Sequence, residues 1–210
     1  MTRIQPSGED LTVLDDATRA LVRLSAIITA GTDEQIRNAL SEAAPVVPAG
    51  YVEELVLQSY LFAGFPRALN AMREWRRLHP QPVPDAASTD VGDSRRDGEV
   101  TCAAVYGGMY ERLRENIRHL HPRLDDWMIT EGYGKVLSRP GLDLGRRELC
   151  IIAACAAANQ DRQLHSHLHG ALNVGVRADV IGAAIGALSD IVGRERARTI
   201  DLLWARVRGK

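Results

Sequence analysis

The chain is short of aromatic residues and of cysteine, and it carries almost no net charge. Phe, Trp and Tyr make up 5% of its 210 residues, and its three cysteines are odd in number and too sparse for a disulfide scaffold. That usage agrees with a reducing compartment. A formal charge of −1 and a pI near 6.6 give no electrostatic footprint for nucleic acid or for an anionic membrane surface. The opening MTRIQPSGED lacks the apolar segment of a signal peptide, so a cytoplasmic protein is expected. No stretch alternates as a half-buried strand does. Nothing supports a Ser-His-Asp triad, a phosphate-binding glycine loop or a dinucleotide fingerprint. What remains is a helical chain, 45% hydrophobic, able to bury one good core or two small ones.

Helical periodicity organises the first third. Asp15 or Asp16 caps a helix over 17–30, with Leu21, Leu24 and Ile28 at core spacing and Gly31 as its stop. Further helices are predicted over 33–44, 51–63 and 67–78, delimited by Pro45, Pro48 and the Gly64-Phe65-Pro66 break. Residues 1–13 read as a loose arm. Residues 79–98, HPQPVPDAASTDVGDSRRDG, have little to bury and read as a linker or mobile loop, with a lid over a site as an alternative role. A helix over 99–120 follows, then a break at His121-Pro122 and a shorter helix through Trp127 that ends near Lys135. Beyond Arg177 two more helices, broken near Gly193, end in the amphipathic ARTIDLLWARV.

The chemistry gathers in residues 143–175, DLGRRELCIIAACAAANQDRQLHSHLHGALNVG. From Leu149 to Ala158 every residue is apolar, which indicates a helix buried all round yet too short to span a bilayer. Glu148 stands at its mouth, on the same face as Ile151, Ile152 and Cys155. Its carboxylate therefore looks into apolar space, where desolvation favours the uncharged form and suits a carboxyl to proton transfer. The plainer role is a first-turn acid meeting the helix dipole. In the next helix, over 163–174, Leu164, Leu168, Ala171 and Leu172 form the core stripe. His165 and His169 border it on one side and His167 on the other. Periodicity does not choose among the three, and a histidine beside a core stripe is commonly a satisfied structural group.

LSRPGLDLGRREL followed by QLHSHLHGALNVGV resembles the carboxymuconolactone decarboxylase family, relatives of the alkylhydroperoxidase D proteins. A weaker similarity reaches upstream through VYGGMYERLRENIRHLHPRLDDWMITEGYGKV. The resemblance implies an all-α, AhpD-like fold in which an acid on one helix and a histidine on the next form a proton relay. Matched residue by residue, these are Glu148 and His167. It implies no metal and no cofactor. With the hairpin turning near Gln160, the two lie roughly 7.5 Å apart along the helix axes at about 1.5 Å per residue, so direct contact is not required. Preceding helices wall the pocket in the family, which makes Trp127 and Tyr133 candidate lining residues, although buried aromatics are commonly plain core. Arg147 is a candidate partner for a substrate carboxylate, with a solvated arginine as the plainer alternative. Cys155, His165 and His169 complete the candidate substrate-binding set. His169 stands where relatives often have Arg, and Val174 replaces the second Asn of ALNNG, which points away from carboxymuconolactone itself as the substrate.

Three chemistries compete. Thiol peroxidase relatives carry a Cys-x-x-Cys pair just ahead of the histidine, where this chain has Gln160 and Gln163. Cys150 and Cys155, five residues apart on one helix, are roughly 8–9 Å apart at the Cα atoms, beyond the approximately 7 Å limit for a disulfide. Cys155 alone remains as a peroxidatic candidate. A metal shared by His165 and His169 lacks an identifiable third ligand. The favoured expectation is cofactor-free acid/base chemistry, decarboxylating or isomerising a small lactone or keto acid, with a non-catalytic family member as a different class of outcome.

Sliding the chain by 128 positions pairs LDDATRAL with LDLGRREL, Asp33 with Asp161, Gln35 with Gln163 and Ala43 with Ala171. This reads as an internal duplication. The partners of Glu148 and His167 are Ala20 and Ala39, so the first copy has lost the relay. The expected organisation is a degenerate N-terminal module over 1–78, a linker over 79–98 and the site-bearing module over 99–210. Single-module relatives assemble as trimers or as hexamers of paired modules, so the resemblance implies a homotrimer forming a pseudo-hexameric ring, with a dimer as the alternative.

Overall fold

A computed structural model describes residues 11–83 and 91–209, and every regular element among them is helical. Local chemistry sets the boundaries. The Asp15 side chain accepts from the Thr18 amide and opens α1 (Asp16–Ala30). Thr32 and Gln35 exchange hydrogen bonds in a capping box at the start of α2 (Asp33–Ala43). Between α3 (Ala49–Ala63) and α4 (Phe65–Leu78) the chain turns on Gly64, whose φ of 82° suits glycine alone.

The middle of the chain departs from the sequence reading. Helix α5 (Val91–Tyr106) begins inside the segment read as a linker, and only residues 84–90 of that segment lie outside the described residues. A single 3₁₀ turn (Gly107–Met109) divides α5 from α6 (Tyr110–Leu120), so the continuous helix expected over 99–120 is two. After α7 (Pro122–Trp127) the chain widens into a π-helix (Met128–Leu137). The reason is close packing by glycine. A Cβ on Gly98 would lie 2.1 Å from the Ile129 carbonyl oxygen, and one on Gly134 would lie 1.7 Å from that of Ser94. Residues that look like loop punctuation let α5 and the π-helix meet backbone to backbone.

In the C-terminal part, the Asp143 side chain accepts from the Arg146 amide at the start of α8 (Leu144–Ala157). Then come α9 (Asp161–Asn173), α10 (Ala178–Gly186), α11 (Ser189–Val192) and α12 (Arg194–Arg208). Two apolar cores form. Leu21, Leu24, Ile28, Ile36, Leu40, Leu55 and Trp75 fill the first, and Ile129, Leu149, Ile151, Ile152, Leu164 and Leu168 belong to the second. Helices α1 and α8 pack on each other and share both cores: Val22 and Ala26 of α1 enter the second, and Cys150 of α8 enters the first. Residues 1–10 of the expected arm lie outside the described residues, but Leu11, assigned to that arm, is buried in the second core. No described helix is long and apolar enough to cross a membrane.

Candidate functional site

The start of α8 buries three charged residues in a row, Arg146, Arg147 and Glu148. Successive residues are turned about 100° around the axis, so each meets a different neighbour. Arg146 faces α1, donating to Thr18 Oγ1 at 2.9 Å and to Asp15 and Asp143. Arg147 faces α3. Glu148 is turned into the second core, with no accessible surface.

There Oε2 of Glu148 lies 2.8 Å from Nδ1 of His167, which is 6% exposed. The expectation that the two need not touch is replaced by direct contact, and Gly170 accounts for it. A Cβ at 170 would stand 2.5 Å from Oε2, so the bare backbone of α9 is what admits the carboxylate. With the carboxylate ionised, Nδ1 carries the proton and donates, leaving Nε2 as the basic nitrogen. Glu148 Oε1 is buried and has no hydrogen-bond partner. Such an atom calls for a donor from an occupant of the site.

Aromatic rings surround the pair. Phe62 of α3 meets the His167 ring edge-on at 6.2 Å between centroids, and Tyr106 of α5 meets it at 6.4 Å. Tyr133, on the π-helix, stands edge-to-face with Tyr106 at 6.2 Å. Burial pushes the Tyr106 phenol up to about 12 and that of Tyr133 well above its usual value, with the Glu148 charge adding to both, so each remains a protonated donor. The thiols behave alike. Burial pushes Cys102, Cys150 and Cys155 up to about 12, and Glu148 adds to the shift at Cys102 and Cys155. Thiolate chemistry is disfavoured at all three.

Of the residues singled out from sequence, Glu148, His167, Tyr133 and Cys155 come together. His165 and His169 lie on the other flank of α9, half-buried, their rings edge-to-face at 4.9 Å. Among the described residues no group of His, Cys, Asp and Glu is arranged to hold a metal. Trp127 is displaced from its expected place: it is 57% exposed, because α7 turns Asp125 inward to Arg114 and Arg118. Arg147 is neither solvated nor free for a substrate. Its guanidinium is fully buried and bonded to Glu54, Gln58 and two backbone carbonyls. Sequence reasoning missed Phe62, Cys102, Tyr106 and Gly170. Only Gly170 left a trace, as the glycine of SHLHGALNVG one turn beyond His167.

This geometry falls where relatives agree with the chain. The carboxymuconolactone decarboxylase family matches residues 122–204, a span that contains α8, α9 and both members of the pair. Peroxisomal protein 2 of Schizosaccharomyces pombe is 31% identical over 153 residues, covering 70% of this chain and 71% of the relative. Since that likeness runs through most of both chains and the matched span carries the helical hairpin with its acid and histidine, the chain belongs to the carboxymuconolactone decarboxylase family.

Proposed function

We propose that the protein is a cofactor-free acid/base enzyme acting on a small lactone or keto acid through Glu148 and His167. One observation carries this reading: a buried carboxylate and imidazole 2.8 Å apart, with the second carboxylate oxygen unpartnered. Fixed by Glu148, the imidazole presents one tautomer, as a general base needs. In an isomerisation, the base removes a proton from the carbon beside a carbonyl, the electron pair moves into the conjugated carbonyl, and a proton returns at the far carbon. In a decarboxylation, the carbon–carboxylate bond breaks, CO₂ leaves, and the acid protonates the dienolate that remains. Both are redox-neutral and draw only on groups already in the site. The protonated phenols of Tyr106 and Tyr133 are suited to stabilise the enolate oxygen. The high thiol values weigh against a peroxidase.

Incubating lactones and keto acids in deuterated water, with mass spectrometry for incorporated deuterium and a CO₂ assay alongside, tests the reading. Exchange or CO₂ release that is lost in Glu148→Gln and unaffected by a chelator supports it. Activity that chelation abolishes and zinc restores overturns it. We propose a cytoplasmic location. The relative's name offers the peroxisome instead, and imaging a fluorescent fusion decides between them.

A further inference from the structure

The N-terminal half holds no relay, yet it reaches the helix that does. Arg147 has no exposed surface, and four hydrogen bonds hold its guanidinium. Nη2 donates to Glu54 Oε2 at 2.8 Å and to the Arg139 carbonyl at 3.0 Å. Nη1 donates to Gln58 Oε1 at 3.2 Å, and Nε to the Leu142 carbonyl at 2.9 Å. Gln58 replies, its Nε2 donating to the Arg147 carbonyl at 3.1 Å. Glu54 also takes a two-pronged hold from Arg139. Gly141 leaves it room, since a Cβ there would lie 2.7 Å from the Glu54 side chain. Glu54 and Gln58 are one turn apart on α3, so they grip α8 as a pair.

We propose that Glu54, seconded by Gln58, is a positioning residue for Glu148: by clamping Arg147 it fixes the rotation of the first turn of α8 and so aims the neighbouring carboxylate at His167. The lever is short. A carboxylate about 6 Å from the helix axis moves about 2 Å when the turn rotates by about 20°, enough to part a hydrogen bond. From the α3 side the hydrogen bonds that hold that turn are those of the Arg147 clamp, beside a looser contact of the Arg146 guanidinium over the Tyr51 ring at 5.6 Å; the hydrogen bonds of Arg146 itself run to α1, Asp15 and Asp143. The clamp is not repeated in the other half, because the residue 128 positions beyond Glu54 is Gly182.

The proposal rests on the reading that Glu148 and His167 do the chemistry, and the test separates the two. Glu54→Gln alone strands the buried Arg147 guanidinium, so the informative variant is Glu54→Gln with Arg147→Gln, which removes both charges of that pair. Gln58→Leu, which creates no unpaired charge, is the second. The readouts are the imidazole ¹⁵N resonances of His167 in histidine-labelled protein and the rate of deuterium exchange, with circular dichroism to establish folding. Folded variants are expected to shift the His167 Nδ1 resonance in the direction that Glu148→Gln shifts it, and to slow exchange about 100-fold at nearly unchanged KM, as for about 1 Å of misplacement. Folded variants with wild-type His167 resonances overturn the clamp, including the case in which only the melting temperature falls. A shifted resonance together with a Glu148→Gln enzyme that still exchanges leaves the clamp standing and overturns the catalytic reading.

Discussion

A side-chain carbon on residue 170 would sit 2.5 Å from Glu148 Oε2 and 2.7 Å from a Val105 methyl. Neither neighbour has room to retreat in a closed core, so Gly170→Ala is expected to part the carboxylate from the imidazole and to destabilise the fold by about 1–3 kcal/mol. Deuterium exchange and a denaturant melt measure the two effects. Glu148→Gln and His167→Ala are expected to lower turnover by about 100-fold or more with the helical spectrum intact, the usual scale for a lost general acid or base. Cys155→Ser should retain turnover; if it alone were inactive, the thiol would be the working group. A pH prediction follows from Glu54. Burial raises its carboxyl, but the hydrogen bonds and charges of Arg139 and Arg147 outweigh this and leave it below the ordinary value. A depressed folded value means that the carboxylate contributes stability above the unfolded value, about 4.3 for glutamate, and loses it as pH falls through the folded one. The melting temperature should therefore fall on acidification below about pH 4.5, and more shallowly in the Glu54→Gln, Arg147→Gln double variant.

Helix α5 meets the π-helix at Gly98 and Gly134, where a methyl group has nowhere to go but into a carbonyl oxygen. Gly134→Ala is expected to push the two helices apart, lowering the melting temperature and displacing Tyr133 from Tyr106, which a change in tyrosine fluorescence would report. The same contact explains what the sequence concealed. The first-half helices and the hairpin of α8 and α9 are legible because their apolar spacing, the Asp15 cap and the glycine stops are local signals. Glu148 and His167 were legible because they flank an uninterrupted apolar run and match a family motif. Helix α5 was read partly as linker because Ser94 and Gly98 are poor helix formers whose value here is their small size against a neighbour far along the chain. Arg147 was misplaced for a similar reason: a charged residue at a helix start reads as solvated until Glu54, 93 positions away, is known to face it. Trp127 is expected at the pocket wall because helices ahead of the hairpin wall the pocket in the family it resembles, whereas here Asp125 occupies the inward face of α7 with two arginines.

At the scale of the whole molecule, the two halves answer each other across α1 and α8. Arg146 donates to Thr18, a residue 128 positions earlier, and Val22 and Cys150, separated by the same interval, each enter the opposite half's core. Equivalent residues that touch or exchange places are the mark of a two-fold relation, and we propose that a fused pair of modules underlies it. Fusion supplies one interface covalently, but other faces stay bare. The hairpin of α6 and α7 exposes Leu120 and Leu124 beside Trp127, and α12 exposes Leu202, apolar surface of the kind that subunit contacts cover. Three fused pairs closing into a ring would cover such faces symmetrically. Light scattering at micromolar concentration should then give about 69 kDa, three chains of 23.0 kDa. A mass near 46 kDa, two such chains, would favour an isologous dimer, and a concentration-independent 23.0 kDa would show that these faces stay open to solvent. Within the assembled species, Leu120→Asp with Leu124→Asp should shift the mass downward while leaving the Glu148–His167 pair undisturbed, because both leucines are exposed and neither belongs to the buried core around that pair.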